Sequence, residues 1–97
     1  MQRRRYLVAY DIRDPKRLRL VFQTMKAYGE SLQYSVFVCD ISRAEKVAMQ
    51  TDLGAVMDHT EDSIALVDLG QSSGVGPLRF EFMGVHRPLP GPGPTVI

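Results

Sequence analysis

The fold of this chain is decided by the segment Tyr6-Leu7-Val8-Ala9-Tyr10-Asp11-Ile12-Arg13-Asp14-Pro15. Its apolar and aromatic run over residues 5–12 predicts a strand that is buried on both faces. Asp14 and Pro15 are typical of a helix start, with the aspartate as N-cap and the proline in the first turn. We therefore expect Asp11 at the carboxyl end of a central strand, where reactive side chains are common in α/β sheets. An ordinary turn aspartate fits the same pattern.

Two helices are indicated by apolar spacing and by capping residues. Apolar side chains recur at helical intervals from Pro15 to Tyr28, and Gly29 is the expected C′ residue that ends this helix. The segment Ser42-Arg43-Ala44-Glu45 has the pattern of a capping box, which predicts that a second helix starts at Ser42.

Strands are indicated between and after the helices. Residues 31–41 are rich in β-branched and aromatic side chains, and we interpret them as a hairpin that turns near Tyr34 and Ser35. One bent strand is the alternative for this segment. A further strand is predicted at 63–69, and the alternating residues 78–83 predict an additional strand after a flexible connector.

The predicted order is βαββαβ with one additional C-terminal strand. The first six elements match an α+β ferredoxin-like sandwich, in which two helices cover one face of an antiparallel sheet. The additional strand can pair with its own sheet or be exchanged with a second subunit of a homodimer. We expect one domain over residues 1–87 and a Pro/Gly-rich flexible tail over residues 88–97.

Composition restricts the class of protein. The chain has 97 residues, of which 44% are apolar and 24% charged, and these values are typical of one small globular domain. No apolar run approaches the roughly 18 residues of a membrane span. The single cysteine, Cys39, cannot form an internal disulfide. We therefore expect a cytoplasmic protein that makes no contact with a membrane.

The formal net charge of +1 conceals an asymmetry along the chain. Residues 1–29 carry a net charge of +6, and the remaining residues carry −5. This division indicates a face offered to a polyanion, with nucleic acid as the first candidate. The alternative is that these basic residues are only the solvated side of an amphipathic helix.

Several kinds of catalytic site can be set aside from the residues present. Cys39, His59 and His86 lie far apart without zinc spacing, and no strand is followed by a Gly-rich phosphate loop. Asp11 remains, in arginine-rich surroundings. Mg²⁺ takes oxygen ligands and keeps several waters, so that one or two carboxylates suffice to bind it. Two-fold symmetry would bring a second Asp11 opposite the first, and the metal could then activate water for attack on a phosphodiester.

Two motifs and their order resemble the family of CRISPR-associated protein two. These are Tyr10-Asp11-Ile12 at the end of the first strand and Gln33-Tyr34-Ser35-Val36-Phe37 after an arginine-rich helix, with Asp62-Ser63-Ile64 as a further similarity. The resemblance covers about residues 5–87. It implies a homodimer whose C-terminal strands cross to the partner's sheet. It also implies a Mg²⁺- or Mn²⁺-dependent endonuclease acting on RNA or double-stranded DNA, which works with the CRISPR adaptation integrase.

The resemblance also implies roles for individual residues. Asp11 would be the catalytic, metal-binding carboxylate, contributed by each chain at the dimer interface. Phosphates would be held by Arg13, Lys16, Arg17 and Arg19, and the supporting residues would be Tyr10 and Phe37. Asp14 fits a helix cap better than a metal ligand. Two alternatives stay open, a non-catalytic DNA-binding scaffold that bridges integrase subunits and a toxin-type ribonuclease of the same fold.

Overall fold

The computed structural model describes residues 2–71 and 83–84, and six elements lie within them. The elements are β1 (Arg3–Asp11), α1 (Pro15–Met25), β2 (Glu30–Gln33), β3 (Val36–Ser42), α2 (Arg43–Val56) and β4 (Ser63–Gln71). The four strands form one sheet in the order β2-β3-β1-β4, and every neighbouring pair is antiparallel. This arrangement confirms the α+β ferredoxin-like βαββαβ fold.

The central strand β1 is buried on one face only. Tyr6, Val8 and Tyr10 point into the core and are at most 8% exposed, whereas Leu7 and Ala9, on the other face, are half-buried. The expectation that this strand is buried on both faces was wrong. Both helices pack on the same side of the sheet, so the described part of the chain leaves the opposite side open.

The core lies between the inner face of the sheet and the two helices. From α1 it receives Val21, Phe22 and Met25, and from α2 it receives Met49 and Leu53. These residues recur at helical spacing, because only the stripe that faces the sheet leaves water. Among the described residues, no helix is long and apolar enough to cross a membrane.

Helix α1 starts where the sequence predicts and ends earlier. Asp14 is its N-cap, and its Oδ2 accepts a hydrogen bond of 3.0 Å from the backbone N–H of Arg17. The helix ends at Met25 instead of Tyr28, and the chain continues as a turn. The role expected for Gly29 was also wrong, because its φ is not positive. Gly29 is needed for close approach, since a Cβ there would lie 2.3 Å from the carbonyl oxygen of Val38.

The hairpin interpretation of residues 31–41 is confirmed. Strands β2 and β3 are separated by Tyr34 and Ser35 alone. The carbonyl oxygen of Ser35 accepts a hydrogen bond of 3.0 Å from the backbone N–H of Tyr10, which attaches the turn to the carboxyl half of β1. The capping box at the start of α2 is confirmed as well, with Ser42 and Glu45 bonding each other's backbone N–H.

The end of the sheet differs slightly from the prediction. Strand β4 runs to Gln71, two residues beyond the predicted end, and Gly70 within it has a φ of +99° beside a register shift in β1. The predicted C-terminal strand lies outside the described residues except for Met83, which is not in a strand. The tail at 88–97 also lies outside them.

We expect Gly29→Ala to destabilise the fold by about 1–3 kcal/mol, because the added methyl group must displace the backbone of β3. Gly54→Ala is the matched control, since a Cβ there would meet only the ring of His59 at 3.8 Å. As a helix-interior substitution, it should stabilise by about 0.5–1 kcal/mol. Urea unfolding measures both changes, and equal effects of the two substitutions would contradict this account of Gly29.

Candidate active site and nucleic-acid interface

Asp11 is the last residue of β1 and is paired in register with Ser63, the first residue of β4. The expected position at the carboxyl end of a central strand is confirmed. Its side chain is 67% exposed, and its Oδ2 lies 3.8 Å from Nη2 of Arg13, which is equally exposed. A strand that is paired with β4 up to its last residue thus presents a carboxylate to solvent, and within the described residues its ion-pair partner is Arg13.

The residues near Asp11 offer few further metal ligands. Within residues 2–71 and 83–84, no group of three or more His, Cys, Asp or Glu side chains is placed to hold a metal ion. Asp14 caps α1, and the carboxylate of Asp62 is surrounded by donors. Among the described residues at the end of β1, Asp11 is therefore the carboxylate left available, and a Mg²⁺ ion that keeps several waters needs only one or two such ligands.

Asp62 forms the most strongly bonded polar group at this end of the sheet. Its side chain is fully buried, and it accepts hydrogen bonds from Nε of Arg17 at 2.8 Å and from Nη2 at 3.2 Å. Its oxygens also accept from the backbone N–H groups of Arg13 at 2.9 Å and Asp58 at 2.8 Å. The Arg17 guanidinium holds the pKa of Asp62 well below its usual range, and the backbone donors act in the same direction.

The four basic residues predicted to hold phosphates are placed differently from one another. The Arg17 side chain is 25% exposed and bonds Asp62, with Glu61 at 3.3 Å as a second partner. Arg13 is two-thirds exposed beside Asp11. Lys16 and Arg19 are exposed in the first turns of α1, and neither forms an ion pair with any of the described residues. Lys16, Arg19 and Arg13 thus offer charge to a ligand, whereas Arg17 is engaged within the fold.

Tyr10 and Phe37, the predicted supporting residues, lie in the core beneath Asp11. Tyr10 is 6% exposed, its hydroxyl donates to the carbonyl oxygen of Tyr34, and burial raises its pKa above the ordinary value. Phe37 is fully buried and meets the ring of Phe22 edge-on at 5.3 Å between centroids. Both side chains can hold the end of β1 in place, and neither is accessible for stacking on a base.

The charge asymmetry of the sequence is largely cancelled in space. Arg3 pairs with Asp40 at 3.4 Å and with Glu45 at 3.0 Å, and Arg4 pairs with Asp68 at 3.0 Å. Together with the Arg17 pairs, these contacts join basic residues of the first third of the chain to acidic residues of the rest. Within the described residues, three of the basic side chains of the first third are therefore paired inside the fold, and Arg13, Lys16 and Arg19 form an exposed basic group at the start of α1.

The candidate site is an open surface, not a cavity. A groove of about 890 Å³ lies near the opposite end of β1, where its lining includes Arg4, Tyr6, Ile41 and Lys46. Along a strand, Arg4 and Asp11 are roughly 23 Å apart, so the groove and the carboxylate are separate features. An exposed carboxylate flanked by cations suits a long polymer better than a small enclosed ligand.

Sequence reasoning did not assign a role to Asp62, although it noted the segment Asp62-Ser63-Ile64. The signal was a carboxylate directly before a strand that pairs with the strand of Asp11. Its partner Arg17 was predicted to bind phosphate instead, because a sequence does not show which acidic residue of a distant segment an arginine contacts.

Comparisons with known proteins all match the same family. Residues 4–74 match the sequence profile of the family described as CRISPR associated protein Cas2. The chain is 46% identical over 79 residues to CRISPR-associated endoribonuclease Cas2 1 of Rhodospirillum rubrum, covering 81% of this chain and 76% of that protein. It is 39% identical over 72 residues to CRISPR-associated endoribonuclease Cas2 of Geobacter sulfurreducens, covering 74% and 76%.

Solved structures show the same similarity. The crystal structure of Streptococcus pyogenes Cas2 at pH 6.5 has a TM-score of 0.65 and 38% identity, covering 68% of this chain and 86% of that one. The crystal structure of a hypothetical protein from Thermus thermophilus has a TM-score of 0.69 and 32% identity, covering 78% and 96%.

We expect Arg17→Ala to lower the urea midpoint at pH 7, because it leaves the buried Asp62 carboxylate without its cation. Since the pKa of Asp62 is depressed in the folded state, this pair stabilises fully above the unfolded pKa of about 4 and less as the pH falls below it. The difference in urea midpoint between wild type and Arg17→Ala should therefore become smaller as the pH falls from 5 to 3. Arg19→Ala is the control and should leave the midpoint unchanged at every pH. A pH-independent loss in Arg17→Ala would contradict the role of the charge.

Proposed function

Because the chain belongs to the CRISPR associated protein Cas2 family, we propose that it is a dimeric, Mg²⁺-dependent endonuclease subunit of CRISPR adaptation. It binds and cleaves RNA or double-stranded DNA and works with the adaptation integrase. The observation that carries this proposal is the exposed carboxylate of Asp11 at the rigid end of β1, directly before the basic start of α1. The names of its relatives, which are called endoribonucleases, favour RNA as the substrate.

Each side chain of the site has a distinct part in this proposal. Lys16 and Arg19 attract the phosphate backbone and hold it across the first turns of α1, a contact that is independent of base sequence. The Asp11 carboxylate binds the divalent ion together with its copy in a second chain. Mg²⁺ or Mn²⁺ bound there would supply a Lewis acid and a water of lowered pKa. Arg13, beside Asp11, holds the phosphate that carries the negative charge during cleavage.

The homodimer is supported by the open face of the sheet. On that face, Leu7 of β1 lies in register between Val38 and Val67, and Ala9 lies between Val36 and Ala65. Val67 is 47% exposed. A continuous apolar sheet face of this kind is typical of a surface covered by another subunit. A second copy of the chain is the occupant that also supplies the second Asp11.

A non-catalytic scaffold is the second candidate, and one observation favours it. The described residues of one chain hold a single available carboxylate near the basic surface. Bridging integrase subunits on duplex DNA requires only the dimer and the cations of α1, so Asp11 would then have no chemical part. The same cleavage assay distinguishes the two functions.

We expect Asp11→Asn to lower cleavage of labelled single-stranded RNA or duplex DNA by on the order of 100-fold or more, the scale of losing a group that acts in the transition state. Cleavage by wild type should require Mg²⁺ and stop with a chelator. Asp40→Asn, which changes an exposed carboxylate nearer the other end of the sheet, is the control and should retain activity. If wild type binds duplex DNA and cleaves neither substrate, the scaffold function stands in place of the nuclease.

We expect Val67→Lys to convert the dimer to a monomer, because it places a charge in the apolar sheet face. Leu20→Lys is the matched control, since Leu20 is also 47% exposed but lies on α1. Light scattering coupled to size exclusion should give twice the chain mass of 10.9 kDa for wild type and for Leu20→Lys. A dimeric Val67→Lys protein would show that another surface joins the subunits.

A further inference from the structure

The carboxylate of Asp62 joins three separate segments at the carboxyl end of β1. Oδ1 accepts from the backbone N–H of Arg13, in the turn after β1, and Oδ2 accepts from the backbone N–H of Asp58, in the turn before β4. Arg17, in the first turns of α1, donates to both oxygens. An ionised carboxylate has about four acceptor positions, and all four are used here. Its orientation is therefore determined from several directions at once.

The backbone is held on both sides of Asp11, by strand pairing before it and by Asp62 after it. Before it, β1 pairs with β3 and β4, and Asp11 itself is in register with Ser63, the neighbour of Asp62 in sequence. Two residues after it, the N–H of Arg13 is bonded to Asp62. With the described residues, the Asp11 side chain forms the 3.8 Å ion pair to Arg13, in which both groups are two-thirds exposed. The direction of the Asp11 carboxylate thus depends on how firmly its backbone is held.

Stability alone does not account for a charge at position 62. The side chain of Asp62 is fully covered, and burying an ion pair adds little stability compared with apolar residues of similar size. The start of α1 does not need it either, because Asp14 already caps that helix. What the Asp62 carboxylate supplies is a set of directed bonds that converge on the turn between β1 and α1.

We propose that Asp62 is a positioning residue, which aims the Asp11 carboxylate at a divalent ion by fixing the turn that follows it, with Arg17 holding Asp62 in place. This inference rests on the proposed metal-binding role of Asp11. Groups that orient a metal ligand without touching the metal typically change metal affinity by 10- to 100-fold when they are altered.

The test measures Mn²⁺ binding directly, through the electron paramagnetic resonance signal of free Mn²⁺, so that cleavage activity is not needed. Asp62→Asn keeps the shape of the side chain and loses its charge and part of its acceptor capacity. Asp68→Asn is the control, since Asp68 lies on β4, the strand that Asp62 precedes, and also pairs with an arginine, but at the other end of β1. Asp11→Asn removes the ligand itself.

We expect Asp62→Asn to weaken Mn²⁺ binding by about 10-fold in folded protein, Asp68→Asn to leave it unchanged and Asp11→Asn to abolish it. A purely structural role would lower the unfolding temperature of Asp62→Asn but leave the Mn²⁺ affinity of the folded protein at the wild-type value. That result would overturn the inference while the metal role of Asp11 stands.

A second measurement tests the positioning role of Asp62 without any bound metal. Backbone ¹⁵N relaxation should show lower order at residues 11–13 in Asp62→Asn and wild-type order there in Asp68→Asn. If wild type and Asp11→Asn bind Mn²⁺ equally weakly, the proposed function fails in its metal requirement. Unchanged order at residues 11–13 in Asp62→Asn would overturn the positioning role whatever the Mn²⁺ result. Should Asp62→Asn fail to fold, the double variant Asp62→Asn/Arg17→Gln removes both buried charges together and takes its place in both measurements.

Discussion

The central position of β1 is the constraint on which the rest of the structure depends. This strand pairs with β3 from Arg3 to Ala9 and with β4 from Arg4 to Asp11, and its inner residues are covered by the two helices. A strand held on both edges and one face has little freedom at its end, so Asp11, its last residue, starts from a fixed position. Tyr10 strengthens this arrangement, because its backbone and hydroxyl bond the β2–β3 turn from within the core. The rigidity of the candidate site thus comes from the fold and not from contacts of the Asp11 side chain.

The same one-sided packing produces the open apolar face of the sheet. Helices on one side leave Leu7, Val38 and Val67 without cover from the described part of the chain. In the proposed dimer, one association both covers the apolar face and supplies the second metal-binding carboxylate, because the copy that packs on this face also brings its own Asp11. The shortage of metal ligands among the described residues and the exposed apolar face of the sheet then have a common explanation.

Some of the charged residues of this protein form ion pairs within the fold, and others are exposed to a ligand. Three basic residues of the first third of the chain meet acidic residues that lie later in the sequence, two of them from β1, between β3 and β4, and one from α1. Arg3, Arg4 and Arg17 each form such a pair. The exposed pairs contribute little stability, whereas the covered Arg17–Asp62 pair fixes the geometry of a turn. Among the described residues, Arg13, Lys16 and Arg19 form an exposed group of cations at the start of α1.

Local signals in the sequence determined the elements and their order. The apolar run before Asp11, the Asp14-Pro15 helix start and the Ser42–Glu45 capping box each depend on neighbouring residues alone, and the structure confirms all three. Tertiary structure decided what depends on distant partners. Three features follow from packing between segments that are far apart in the chain. The strand β1 is covered on one face only, Gly29 lies too close to the Val38 backbone to carry a side chain, and Arg17 pairs with Asp62. The periodicity of apolar residues shows which face of a helix or strand is buried, but not which distant residues contact that face.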